Sequence, residues 1–107
     1  MSERNLLPSM TPLQGRANYH DWAIAMKAYL QHEDVWQAVE APLNGAITTN
    51  EKTLAKARSK IILGLDPVVY SHFSDSDTAE LIWKKLKAAF DDVINDFADK
   101  TTNNFFV

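Results

Sequence analysis

Apolar residues recur at helical spacing through most of this chain, in runs separated by short polar breaks. After the stretch "LQGRANYHDW", Trp22, Ala25, Met26, Tyr29 and Leu30 fall on one face of a helix. Asn18 stands where a side-chain oxygen can cap the N-terminus of that helix. Beyond the polar break "QHED", Val35, Trp36 and Val39 form a second, shorter apolar cluster, which Pro42, Asn44 and Gly45 bring to an end. Thr48 and Glu51 have capping-box spacing, so a third helix is expected to begin near Asn50. Leu54, Ala57, Ile61 and Leu65 supply its stripe, widened by Ile62. Asp66-Pro67 reads as an N-cap followed by proline at the first helical position, opening a short helix with Val68, Val69, Tyr70 and Phe73. Asp77 and Glu80 repeat the capping-box spacing before a last helix lined by Ala79, Ile82, Trp83, Leu86 and Phe90. Val93, Ile94 and Phe97 keep the same period, which predicts a helix of about 20 residues, roughly 30 Å long.

These segments predict an all-α fold, a small bundle of about five helices. Runs with the two-residue alternation of strands are absent, and three glycines and four prolines punctuate the chain. The expected core is Tyr19, Trp22, Met26, Leu30, Trp36, Ile61, Ala79, Trp83, Leu86 and Phe90. A length of 107 residues suits a single domain. The expected division is an N-terminal arm at 1–12, a helical domain at 13–98 and a C-terminal tail at 99–107. The tail is polar until Phe105, Phe106 and Val107, which form an apolar tip on a polar leash; it is read as a docking element for a partner, with folding back into a groove as the alternative.

Charge and composition narrow the function. There is no cysteine, which removes disulfides, thiolate zinc sites and cysteine nucleophiles together. The net charge of −3 is carried by residues 91–107, where four aspartates face Lys100 alone, leaving residues 1–90 neutral. A neutral body with an acidic end lacks the basic face that nucleic-acid binders use. No apolar signal segment opens the chain, and no run approaches the length of a membrane span, so a cytoplasmic protein is expected.

Candidate chemistry is sparse. His20, His32 and His72 do not pair at i, i+4, and no cysteine supports them as zinc ligands. "DSDTAE" resembles the start of a calcium loop, but counting from Asp75 puts Glu80 where glycine belongs and Leu86 where the closing glutamate belongs. Asp75 and Asp77 are read instead as acidic residues complementing a helix N-terminus. Gly15 and Gly45 stand apart from any phosphate loop, and Ser59 and Ser71 have no base partner at motif spacing. No enzyme activity, metal, cofactor or small-molecule substrate is expected. Lys52, Lys56 and Lys60 recur every fourth residue along the third helix, near Arg58, and Lys84, Lys85 and Lys87 sit on the last. They read as solvated faces, with a weak polyanion contact at Lys52, Lys56 and Lys60 as the sharper alternative.

"LQGRANYHDWAIAMKAYLQHEDVWQAVE" resembles the opening of the Gag polyprotein of copia-type long-terminal-repeat retrotransposons, especially the insect branch. The shared pattern falls on Leu13, Gly15, Asn18, Tyr19, Trp22, Met26, Leu30, Val35 and Trp36. "KARSKIILGLDPVVYSHFSDSDTAELIWKKLKAAFDD" is similar to a later part of that family, with Thr78, Ala79, Trp83, Leu86 and Phe90 on its motif. The resemblance covers about residues 10–92. It implies a capsid N-terminal-like all-α domain that packs against copies of itself in a virus-like particle. "VINDFADKTTNNFFV" departs from the family, and the RNA-binding zinc knuckle of longer Gag chains is absent.

The leading expectation is therefore a Gag-derived structural protein acting by self-association, with no membrane contact. Symmetric contacts between exposed parts of the first two helices are the expected mechanism, with Ile24 and Ala28 as candidate interface residues beside Phe105 and Phe106. The alternatives are a host-adopted fragment that binds full-length Gag as inhibitor or adaptor, and a weak RNA-binding module.

Overall fold

A computed structural model describes residues 10–91. They fold as four α-helices and one 3-10 turn: α1 Arg16–His32, the 3-10 turn Trp36–Ala38, α2 Glu51–Leu63, α3 Pro67–Tyr70 and α4 Ala79–Phe90. The fold is all-α. The expected second helix is only the 3-10 turn, so the five segments reduce to three helices of two turns or more, one single-turn helix and a turn.

α1 begins two residues before the expected cap. Gly15 is its N-cap and makes no side-chain cap bond, with φ 158° and ψ −161°, a backbone conformation that L side chains rarely adopt. Asn18 instead lies within the first turn and reaches backwards. Its Oδ1 accepts from the Gln14 N–H at 3.0 Å, and its Nδ2 donates to the Pro12 carbonyl at 2.9 Å. It ties the incoming chain to the helix, through the residue just before the N-cap and through Pro12. Tyr19, Trp22, Met26 and Leu30 are the buried face of α1. Ala25, expected on that face, is exposed.

Asp34, at φ 65°, turns the chain sharply out of α1, and Gln37 Nε2 donates to its carbonyl at 2.8 Å. The turn then buries Val35, Ala38 and Val39. α2 opens where expected, but Asn50 supplies the cap, its Oδ1 accepting from the Thr53 N–H at 2.9 Å. Thr48 Oγ1 accepts from Asn50 N–H at 3.1 Å one step earlier. Likewise Thr78, not Asp77, caps α4, accepting from the Leu81 N–H at 3.1 Å. Asp77 Oδ2 accepts from the Ser74 N–H at 3.0 Å and closes the preceding loop. Asp66-Pro67 opens α3 as its sequence predicts. A helix of one turn can bury little; Val69 goes inside while Val68 and Tyr70 stay exposed.

α2 packs against α4, α1 and the 3-10 turn. The core runs from Leu13 through Met26, Leu30, Ala57 and Ile61 to Ile82 and Leu86. Each large aliphatic side chain buried there contributes about 1.5–3 kcal/mol of transfer free energy. The one extended contact is a parallel bridge between Leu13 and Leu65: Leu13 N–H donates to Gly64 O at 2.9 Å, and Asp66 N–H to Leu13 O at 3.0 Å. Leu65 is thus buried by the bridge, beyond the end of α2.

α4 is shorter than its apolar period predicts. It ends at Phe90, and Asp91 is extended, with φ −78° and ψ 94°. The helical continuation expected through Val93, Ile94 and Phe97, and the docking tip with Phe105 and Phe106, lie outside the described residues.

Candidate functional site

Among the described residues no group of three or more His, Cys, Asp or Glu side chains could hold a metal ion. His20, His32 and His72 are all exposed. No described helix is long and apolar enough to cross a membrane. The surface features that stand out are apolar.

Ile24 projects from α1 with 60% of its surface exposed, one helical turn before the exposed Ala28. It borders a groove of about 260 Å³. α1 forms one wall with Tyr19, Ala23 and Lys27; Trp83 and Lys87 of α4 form the other; Trp36 closes the end. The spacing of Tyr19, Ala23 and Lys27 at i, i+4, i+8 is what aligns them along one edge of the helix.

The groove rests on a chain of aromatic rings. Trp83 stacks on Trp22 with ring centres 5.6 Å apart and meets Trp36 edge-on at 5.1 Å. Tyr19 lies 6.1 Å from Trp22 and 6.3 Å from Phe90. Trp22 is fully inside, whereas Trp36, Trp83 and Phe90 are half-buried and show one side to the surface. These three were expected in the core; they form its outer layer because α1, α4 and the 3-10 turn leave a cleft where they meet. Lys27 Nζ sits 5.1 Å from the centre of the Trp36 ring, a cation–π contact at the groove's rim. Burial, and then the negative charge of Asp91, push the Tyr19 hydroxyl up to about 12.

A second exposed apolar residue stands next to this groove. Leu43 is 97% exposed at the tip of a turn closed by the Gly45 N–H donating to Pro42 O at 3.1 Å. The cleft between this turn and the end of α1 is lined by Trp36 and Glu40, which also line the Ile24 groove. Ile24 and Leu43 therefore flank one half-buried tryptophan. Sequence reasoning passed over Leu43, although a large apolar residue between Pro42 and Asn44-Gly45 in a polar turn was a visible signal.

The lysine row of α2 is not one face in solution. Lys52 and Lys56 are exposed, but Lys60 is only 8% exposed. Its Nζ donates to Tyr29 Oη at 2.9 Å and pairs with Glu33 Oε1 at 3.3 Å, joining α2 to α1. Burial alone would lower the Lys60 pKa; the hydrogen bonds to Tyr29 and Glu33 and the Glu33 charge outweigh it and raise it. The Lys60 hydrogen bond holds the Glu33 carboxyl below the usual carboxylate range. Arg58 is also committed, donating to Asp77 O at 2.7 Å and Ser74 O at 2.8 Å. Lys60 is thus corrected from a polyanion contact to an internal strut: at the inner edge of α2 its amine meets a phenol and a carboxylate instead of water.

A family model described as a domain of unknown function (DUF4219) matches residues 15–40. That domain is found in plant retrotransposon Gag-like proteins. The matched segment is α1 and the 3-10 turn, and so includes Ile24, Trp36 and the wall of the groove. No curated protein and no solved structure matches the chain.

Proposed function

We propose that this chain is a Gag-derived, capsid-type structural domain that works by self-association, as its resemblance to copia-type Gag implies. The observation that carries the reading is Ile24: a large aliphatic side chain left 60% exposed, beside an aromatic-floored groove, inside the segment that matches a domain of Gag-like proteins. Apolar surface next to half-buried tryptophans gains free energy when a second protein surface removes both from water. Leu43, on the other side of Trp36, extends the same patch. With Lys60 and Arg58 committed internally, the α2 lysine face offers less to RNA than its spacing promises.

Light scattering of the purified chain over a concentration series tests the proposal. The expected result is an average mass that climbs from monomer towards dimer or beyond as concentration rises. A mass that stays monomeric throughout, in dilute and concentrated solution alike, overturns self-association as the function.

A further inference from the structure

The Ile24 groove carries both signs of charge at each of its ends. At one end Lys27 lies over the Trp36 ring, and Glu40, whose N–H donates to Trp36 O at 3.1 Å, lines the same corner. At the other, Lys87 and Asp91 stand at the end of α4, where the Asp91 N–H donates to Lys87 O at 3.0 Å. Tyr19 marks that end on α1, 6.3 Å from the Phe90 ring. Glu40 and Lys87 are exposed, and among the described residues neither forms an ion pair. Ile24 stands between the two ends, with His20 before it and Lys27 after it on α1.

Such a surface complements itself. Each end holds one lysine and one carboxylate, so a second copy turned end for end sets lysine against carboxylate at both ends. A strongly acidic or strongly basic partner would instead leave like charges facing each other. The apolar features also adjoin: the projecting Ile24 borders its own recess. A protrusion and a recess on distant surfaces propagate into rings or filaments, whereas adjoining ones are satisfied together by a two-fold axis, and growth stops at two copies.

We infer that a second copy of this chain covers the groove about a two-fold axis beside Ile24, with the two α1 helices antiparallel, a geometry that rests on self-association through the Ile24 surface. The two Ile24 side chains meet near the axis. The half-buried faces of Trp36 and Trp83 are covered, and Glu40 of each copy faces Lys87 of the other. The assembly is a closed dimer in which the Glu40–Lys87 pair occurs twice.

Charge reversal tests this register. Glu40→Lys and Lys87→Glu each change an exposed side chain and should leave the urea midpoint close to the parent's. Either one alone sets two like-charged pairs across the axis, so the concentration needed for association should rise several-fold. The double variant Glu40→Lys/Lys87→Glu keeps the parent's net charge and should associate as the parent does. An equimolar mixture of the two single variants should do the same, because both pairs are opposite in sign in the mixed dimer. Lys52→Glu, with the same change in net charge as Lys87→Glu but away from the groove, should not weaken association. Light scattering reads every variant, and the parent's mass should level off at two chains. A mass that climbs past the dimer overturns the two-fold closure and leaves self-association standing. Single variants that associate as the parent does, or whose loss neither the double variant nor the mixture restores, overturn the Glu40–Lys87 register alone. Equal weakening by Lys52→Glu and Lys87→Glu traces the effect to net charge and overturns it too. A parent that stays monomeric at every concentration overturns both the dimer and self-association.

Discussion

The indole of Trp22 donates its Nε1 proton to the carbonyl of Gly64 at 2.8 Å. That carbonyl also accepts from the Leu13 N–H at 2.9 Å, so one backbone oxygen joins the segment before α1, α1 itself and the end of α2. The approach is close enough that a side chain at position 64 requires Met26 to shift: a Cβ there would collide with Met26 Cε and lie 3.4 Å from Trp22 Nε1 and from Ile61 O. Gly64 has φ −91°, so its requirement is for space and not for backbone freedom.

Gly64→Ala should accordingly destabilise the fold by about 1–3 kcal/mol, the usual cost of inserting a methyl into a filled core. Met26 has no exposed surface and must move into its neighbours to make room. Urea denaturation followed by tryptophan fluorescence measures the loss. A stability equal to the parent's would show that Met26 relocates freely and that the contact is loose.

Much of this architecture is legible in the sequence, and the misses share a cause. Apolar period placed Trp22, Met26, Leu30, Ile61, Ile82 and Leu86 on buried faces because a repeat of 3.6 residues reports a helix's inner side whatever it packs against. Helix starts fall within three residues of their expected positions, but the capping side chain differs from that expected at Asn18, Thr48 and Asp77. In each case several residues of capping chemistry lie together, and backbone geometry alone decides which one bonds. The groove was not legible. Whether Trp36 and Trp83 end in the core or at its rim depends on where three elements diverge. Lys60 was misread for the same reason: a lysine at the boundary of a stripe looks solvated until the opposite helix supplies Tyr29 and Glu33.

The Lys60 strut predicts an acid-sensitive component of stability. Glu33 has a lowered pKa in the folded chain, so the native state binds fewer protons than the unfolded state near and just below the ordinary glutamate value of about 4.3. Its contribution is present above that value and is lost as pH falls through the folded-state pKa. Urea midpoints measured between about pH 3 and pH 7 should therefore fall on the acid side, and the fall should be shallower in Lys60→Met, where Glu33 loses its hydrogen-bonded partner and keeps only the longer, 3.7 Å contact with the exposed Lys56. Lys60→Glu should destabilise by about 3–5 kcal/mol, because it leaves like charges facing each other at a buried site. Lys52→Glu is a surface change and should stay within about 0.5 kcal/mol. Similar losses for Lys52→Glu and Lys60→Glu would contradict the burial assigned to Lys60.

Trp83→Ala probes the outer aromatic layer. The ring is half-buried but contacts Trp22 and Trp36 at once. A loss of about 3 kcal/mol is expected, the lower end of the range for removing a large aromatic from a core, because part of the ring already meets water. Chemical denaturation checks it. A loss below about 1 kcal/mol would mean that the Trp22–Trp36 pairing closes without it.

Ile24→Lys separates folding from association. The residue is exposed on α1, and lysine is at least as good a helix former as isoleucine, so the unfolding free energy should change by no more than about 0.5 kcal/mol. If the groove beside it is the contact surface, the same change places a charge against apolar surface in the complex, and the concentration needed for association should rise several-fold. Leu63→Lys is the matched control: Leu63 is 63% exposed, at the end of α2, and does not line the Ile24 groove. It adds the same charge and removes a similar apolar area elsewhere. Sedimentation or light scattering of both variants decides the matter. Weakening confined to Ile24→Lys assigns the surface to α1. Equal weakening by both would trace association to net charge or general stickiness, and the groove would lose its role.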